Sequence, residues 1–180
     1  MVLLSAGCSI FQAHAQTQTQ TQAREYDLKA TFLFSFSQFV EWPATAMADT
    51  NSPFVIGILG NDPFGGFLDD LVRNERVHDK PIRIKRFSKV EEALGTHILF
   101  ISKSELPKTE AILEKLGSRP ILTVGEAVER SFARRGGVIG LVTENKKIRV
   151  RINMEAADRA QLKISTKLLR IAEIVRTEKP

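Results

Sequence analysis

Chemistry in an α/β chain needs polar side chains where strands end. Three short turns of this sequence offer them: Gly60-Asn61-Asp62, Ser102-Lys103-Ser104 and Val124-Gly125-Glu126. Each follows an apolar run. If those runs are parallel strands, all three turns lie at the carboxyl edge of one sheet, where open α/β folds bind ligands. Gly60, Asn61, Asp62, Ser102, Gly125 and Glu126 are therefore the candidate ligand-binding residues. The stretch from Gly60 to Gly66 superficially suggests a phosphate loop. It matches neither G-x-G-x-x-G nor the loop that ends in Lys and Ser/Thr, and turn and capping roles explain the same residues. No serine has the G-x-S-x-G frame of a nucleophile elbow. A phosphoacceptor of the receiver type needs an aspartate after the central strand, where this chain has Ser102.

The remaining titratable residues point the same way. His97 begins an apolar strand and reads as a hydrogen-bonded structural histidine, whereas His78 lies in a polar loop and reads as solvated. Asp69-Asp70 and Glu91-Glu92 are adjacent pairs on helices. Neighbours one apart do not share a helix face, so neither pair makes a two-carboxylate site. Catalytic residues, a metal site and a cofactor are not expected.

These turns need elements to position them. The stretch from Leu28 to Pro43 reads as the anchoring helix. Leu28, Phe32, Phe36, Phe39 and Val40 share one stripe at helical spacing, with Leu33 at its edge, and Pro43 stops the helix. Phe34 points off the stripe. After a loop, Phe54–Leu59 reads as a buried strand, and Asp62 and Pro63 open a helix that runs to about Arg73. Residues 81–87 alternate apolar and basic, as a half-exposed edge strand does. Ser88 to Glu91 form a capping-box pattern at the head of a short helix. His97–Ile101 and Pro120–Val124 are the next strands, with a helix to Leu116 between them. Gly125-Glu126 opens a helical segment that ends before Gly136-Gly137. Residues 138–142 and 148–152 form an antiparallel hairpin. In a last helix capped by Ser165, Leu168, Ile171, Ala172 and Val175 fall on one face. The order predicts a single-domain α/β sandwich: a mainly parallel sheet with helices on both faces and a C-terminal antiparallel hairpin plus helix.

The first residues are of another kind. Met1 to Ala15 is apolar and then small, with Ala13-His14-Ala15 as a secretory cleavage site, and reads as a signal peptide. A rival reading makes Cys8 a lipid attachment point, but Ser5 stands where a large aliphatic residue is expected. The Gln/Thr tract makes residues 16–25 a disordered tether, and residues 26–177 the α/β domain. Cleavage after Ala15 removes the only cysteine, so the mature chain makes no disulfide. The expected compartment is the periplasm. The net charge of +5 sits largely in short basic clusters without interleaved aromatics, which argues against a nucleic-acid partner.

Several stretches, taken in order, resemble the YfiR family of secreted regulators. They are Lys29–Phe34 with Phe39–Pro43, Ile56–Gly60 with Asp62–Phe64, His97–Ser102, Leu122–Glu126, Gly136–Ile139, Ile152-Asn153, and Leu162–Ser165 with Lys167–Leu169. The resemblance implies a periplasmic α/β protein without catalysis. Such a protein represses an inner-membrane diguanylate cyclase by binding its periplasmic part, and an outer-membrane, peptidoglycan-binding lipoprotein sequesters it. It also implies roles for Phe39, Glu41, Trp42, Pro43, Gly136, Gly137 and Asn153, fold maintenance among them. Many relatives carry a cysteine just before the His-Ile-Leu-Phe strand; this chain has Thr96 there, so that disulfide does not carry over. The exposed side of the first helix, with Phe34, Phe39, Glu41 and Trp42, is the expected surface for a protein partner or for a second copy in a homodimer. The alternative is a periplasmic sensor of a small molecule or nucleotide, or a minor hydrolase, using the turns at Gly60 and Gly125.

Overall fold

A computed structural model describes residues 8–126 and 132–178, and their side chains from residue 20 onward. The first described element is helix α1 (Cys8–Phe39), which leads into strand β1 (Val40–Glu41) and the single turn α2 (Ala44–Met47). Then come β2 (Phe54–Leu59), α3 (Gly66–Val72), β3 (Arg76–Val77), β4 (Lys80–Phe87) and β5 (Ile98–Ile101). Next are α4 (Thr109–Leu116), β6 (Leu122–Glu126), β7 (Ile139–Glu144) and β8 (Lys147–Asn153). The chain finishes with α5 (Met154–Arg159), β9 (Lys163–Ile164), α6 (Thr166–Leu169) and β10 (Ala172–Val175). The main sheet has the order β10-β8-β7-β6-β5-β2-β4-β3, and a separate ribbon pairs β1 with β9.

The central strands β4, β2, β5, β6 and β7 are mutually parallel, β7 and β8 form the antiparallel hairpin, and β10 lies parallel to β8. Successive strand residues face opposite sides. Phe54, Ile56, Ile58, Ile98, Phe100, Leu122 and Val124 join α1 and α3 in one core, while Leu59, Leu99 and Ile101 join α4 and Phe132 in the other. This is the α/β architecture expected, with helices on both faces. The hairpin turn is tighter than five residues: Asn145 and Lys146 both have positive φ, 51° and 62°, as a two-residue turn between twisted strands requires.

Several local expectations are corrected. Helix α1 extends back through the Gln/Thr tract expected to be a tether; no glycine or proline lies between Cys8 and Phe39 to break it. Its buried stripe is rotated to Tyr26, Lys29, Ala30, Leu33, Phe36 and Ser37, leaving Leu28 54% exposed and Phe32 and Phe39 half-buried. Asp62 does not cap a helix. Its Oδ1 accepts the Phe64 N–H at 2.7 Å, its Oδ2 binds Arg86, and α3 begins only at Gly66. Ser88 caps nothing either: Lys89 precedes a 3-10 turn, Val90–Ala93, with no side-chain cap. Gly125 and Glu126 end β6 rather than opening a helix; residues 127–131, over which that segment was expected to run, lie outside the described residues.

The C-terminal helix is one turn. Ser165 caps it as expected, its oxygen accepting the Lys167 N–H, but from Ala172 the chain becomes a strand. The β-branched Ile174 and Val175 fit a pleated surface, and the free edge of β8 supplies backbone partners that a longer helix would forgo. The former stripe is split: Leu168 is 3% exposed and Ile171 is 66% exposed. Accordingly, Leu168→Ala should cost about 2–4 kcal/mol of unfolding free energy, and Ile171→Ala close to nothing. Denaturant titration of both variants checks this; equal losses would restore the continuous helix.

Candidate functional site

The carboxyl edge of the parallel strands gathers most of the expected ligand-binding residues, and the protein itself uses their polar atoms. Gly60 turns there with φ of 89°, donating its N–H to the Phe87 carbonyl. A Cβ at Gly60 would stand 2.4 Å from Ser104 Oγ and 2.6 Å from Ser102 Oγ. Those two hydroxyls bond each other at 2.9 Å, and Ser104 Oγ also accepts the Asn61 N–H at 3.0 Å. Asp62 is held by Arg86, which reaches Asp69 as well. Those contacts raise the Arg86 pKa, the Asp69 bond most of all. Gly125 is roofed by the fully buried Phe132 ring, which a Cβ would approach within 2.5 Å. A Cβ on Gly137 would strike the same ring. Gly125 and Gly137 are glycines because Phe132 lies against both.

Glu126 is the centre of this edge. It is 2% exposed and forms an ion pair with Lys29 of α1, itself 2% exposed. The Tyr26 hydroxyl donates to Glu126 Oε2 at 3.2 Å. Lys29 also binds Glu25 at 2.5 Å and stands 4.8 Å from the centre of the Tyr26 ring. Thr143, at the end of β7, donates to the same Glu25 oxygen at 2.7 Å. Burial, followed by the Glu126 charge, pushes the Tyr26 phenol far up, so it remains a donor. Burial also raises the Glu25 carboxyl, but the Lys29 and Thr143 bonds outweigh it and hold the group below the usual range. The sequence reading named Glu126 but missed Lys29 and Tyr26 as its partners. The available signal was Glu25 four residues before Lys29, an i, i+4 pair of opposite charge on one helix.

The expected partner-binding residues lie at the other end of α1. Phe34 and Phe39 are half-buried and pack against the main core. Glu41 is exposed and pairs across the ribbon with Lys163. Trp42 is 8% exposed; its indole N–H donates to the His97 carbonyl at 3.2 Å, and its ring meets Phe54 edge-on at 5.0 Å. Beside it opens a cleft of about 500 Å³, lined by Glu41, Trp42, Pro43, Ala44, Asp158, Gln161, Leu162 and Lys163. Asn153 is fully buried and caps α5 while donating to Ala133 O and Thr177 Oγ1. Among the described residues, no group of three or more His, Cys, Asp and Glu is placed to hold a metal ion.

His97, just before β5, supports Trp42 from below. Its Nδ1 accepts the Val55 N–H at 3.0 Å and its ring stacks on Phe54. Burial lowers its pKa below 6.5, and a backbone hydrogen bond at Ala46 offsets this only in part.

Two measurements follow. Lys29→Met strands a buried carboxylate and should cost about 3–5 kcal/mol; adding Glu126→Leu should recover most of the loss, as a double-mutant cycle by denaturation would reveal. For His97, the unfolded chain takes up a proton before the folded one does, so stability is full above the unfolded pKa. It should therefore fall as pH drops below about 6.5. His97→Asn, which keeps an acceptor without titrating, should flatten that slope between about pH 6.5 and 5 in thermal melts.

Comparison with known proteins places this geometry in a family. No curated protein matches the chain. A solved structure, a conserved domain protein from Vibrio cholerae O1 biovar El Tor str. N16961, is similar at 13% identity and a TM-score of 0.47. The match covers 67% of this chain and 54% of the Vibrio chain, so this chain spans about half the length of that relative. The family model described as YfiR/HmsC-like matches residues 26–173, from Tyr26 of the buried cluster to Glu173 of β10. The chain belongs to the YfiR/HmsC-like family.

Proposed function

We propose that this protein is a non-catalytic periplasmic regulator that binds the periplasmic part of an inner-membrane diguanylate cyclase and represses it. The observation that carries this reading is the family match over residues 26–173, since YfiR-like proteins are periplasmic regulators of diguanylate cyclase signalling. The geometry supports it. The sheet edge where an α/β enzyme would open to substrate is filled here by Lys29, Phe132 and the Ser102–Ser104 pair. Exposed, unspent groups instead surround the β1–β9 ribbon, where Glu41, Ala44, Asp158 and Lys163 line the cleft beside Trp42.

In this reading Met1 to Ala15 directs export and is removed. Among the described residues no helix is long and apolar enough to cross a membrane. The partner meets the ribbon end of α1, with Glu41 and the cleft edge of Trp42 at the centre and Phe39 and Phe34 behind. An outer-membrane, peptidoglycan-binding lipoprotein competes for the repressor and so releases the cyclase. Cyclic di-GMP then rises, with its consequences for biofilm and motility.

Deleting the gene should raise cellular cyclic di-GMP, and restoring the wild-type chain should lower it. Glu41→Lys should fold with an unchanged melting temperature but fail to lower the nucleotide level. An unchanged level on deletion while the cyclase is present would overturn the repressor reading. Full complementation by Glu41→Lys would remove the ribbon as the contact surface.

A further inference from the structure

His97 is 8% exposed and ties several elements together. Its N–H donates to the Val55 carbonyl at 2.9 Å, and its own carbonyl accepts the Leu122 N–H at 2.8 Å as well as the Trp42 indole. Its Nδ1 accepts the Val55 N–H, and a further backbone hydrogen bond ties the ring to Ala46 of α2. One residue thus joins β2, β6, α2 and the ribbon end. A ring nitrogen that accepts a backbone N–H carries no proton, so this packing admits the neutral imidazole alone. The imidazolium bears N–H groups on both nitrogens and would set one of them against the Val55 N–H. The surroundings do not favour the charge either. Phe54 stacks on the ring at 4.5 Å, and the residues bonded from β2 and β6, Val55 and Leu122, are apolar. Helix α2 carries no titratable side chain. Lys80 of β4, 4% exposed and bound to the Asp49 and Ser52 carbonyls, acts on the ring as a like charge. The carboxylates of the adjoining segments are engaged or outward: Asp49 accepts the Asn51 N–H at 3.0 Å, and Glu41 is exposed at the cleft.

The same residue underlies one wall of the cleft. Trp42, Pro43 and Ala44 line that cleft, and α2 continues from them. α2 is a single turn without a fully buried residue. Segments with so few buried contacts open without the rest of the fold. Strand β5, which follows His97, is buried along its whole length. We propose that His97 is a pH-operated latch on this cleft: neutral, it holds residues 42–47 against the sheet, and protonated, it lets go of them while the sheet stays folded. In the open form the imidazole titrates near its ordinary value of about 6.5. The closed form resists protonation, so opening takes up a proton. Opening therefore grows by up to about tenfold for each pH unit below that value, until the closed form itself protonates. A periplasm behind water-filled porins takes the pH of the medium, so mild acid outside withdraws the cleft wall. Weaker repression in acid rests on the ribbon being the contact surface for the cyclase; the opening itself does not.

Trp42 is the single tryptophan of the chain, so tryptophan fluorescence reports this site alone. Between about pH 7.5 and 5 the emission of the purified chain should move to the red and become open to acrylamide, with its onset below about 6.5. Far-UV circular dichroism should hold steady over that range. His97→Asn keeps an acceptor without titrating and should abolish the transition, whereas His78→Asn, at an exposed position, should retain it. Should His97→Asn fail to fold, the chain with His14→Asn and His78→Asn leaves one imidazole, whose proton NMR signals should titrate together with the Trp42 shift. Emission unchanged down to about pH 5 overturns the proposal. So does a transition that persists in His97→Asn, one that accompanies loss of ellipticity, or an imidazole that titrates without moving Trp42. No cyclase enters the readout, so failure of the latch leaves the repressor reading standing, and failure of that reading leaves the latch.

Discussion

The buried ion pair between Lys29 and Glu126 sets the rest of the structure. Withdrawing two charges from water costs several kcal/mol per ion, and one contact between them rarely offsets that. Here the Tyr26 hydroxyl gives Glu126 a second donor, while Glu25 gives Lys29 a second acceptor and is itself bonded by Thr143. The network links α1 to the ends of β6 and β7. Any slide or roll of α1 would expose or unpair a charge, so the pair fixes the helix in register as well as in place. Ten residues further on, about 15 Å along the helix, the same rigid element delivers Val40, Glu41 and Trp42 to the ribbon.

Two consequences bear on function. First, α1 and Phe132 fill the carboxyl edge of the sheet, so groups that would be reactive elsewhere are structural here. Glu126 serves as an anchor, Ser102 and Ser104 brace the turn at Gly60, and Gly125 makes room for a ring. Second, among the described residues a cleft remains beside Trp42 on the β1–β9 ribbon. Trp42 serves both sides. Its buried body fixes the ribbon on His97 and Phe54, and its remaining edge lines the cleft.

Much of this was legible in the sequence, for physical reasons. Phe54–Leu59 and Ile98–Ile101 are uninterrupted apolar runs, and only a strand covered on both faces can bury every side chain of such a run. The family resemblance was legible from short stretches in order. The orientation of α1 was not, because hydrophobicity selects the most apolar stripe, and a buried lysine belongs to no such stripe until its carboxylate is found 97 residues away. The C-terminal segment reads as a continuous helix from sequence, and only its first turn is one. Leu168, Ile171, Ala172 and Val175 fit helical spacing, and the free edge of β8, a tertiary fact, decided for a strand. At Gly125 and Glu126 a glycine after an apolar run resembled a helix start, when its role was to admit the Phe132 ring.

We propose that this protein acts through its ribbon surface on a macromolecule and not through a ligand at the edge of its sheet. Hydrogen–deuterium exchange of the chain, alone and with the periplasmic domain of its cognate cyclase, tests it most directly. Protection should be confined to residues 39–47 and 158–164, with exchange at Gly60, Ser102 and Gly125 unchanged. Protection centred on those three turns, or none anywhere at saturating cyclase domain, would contradict it.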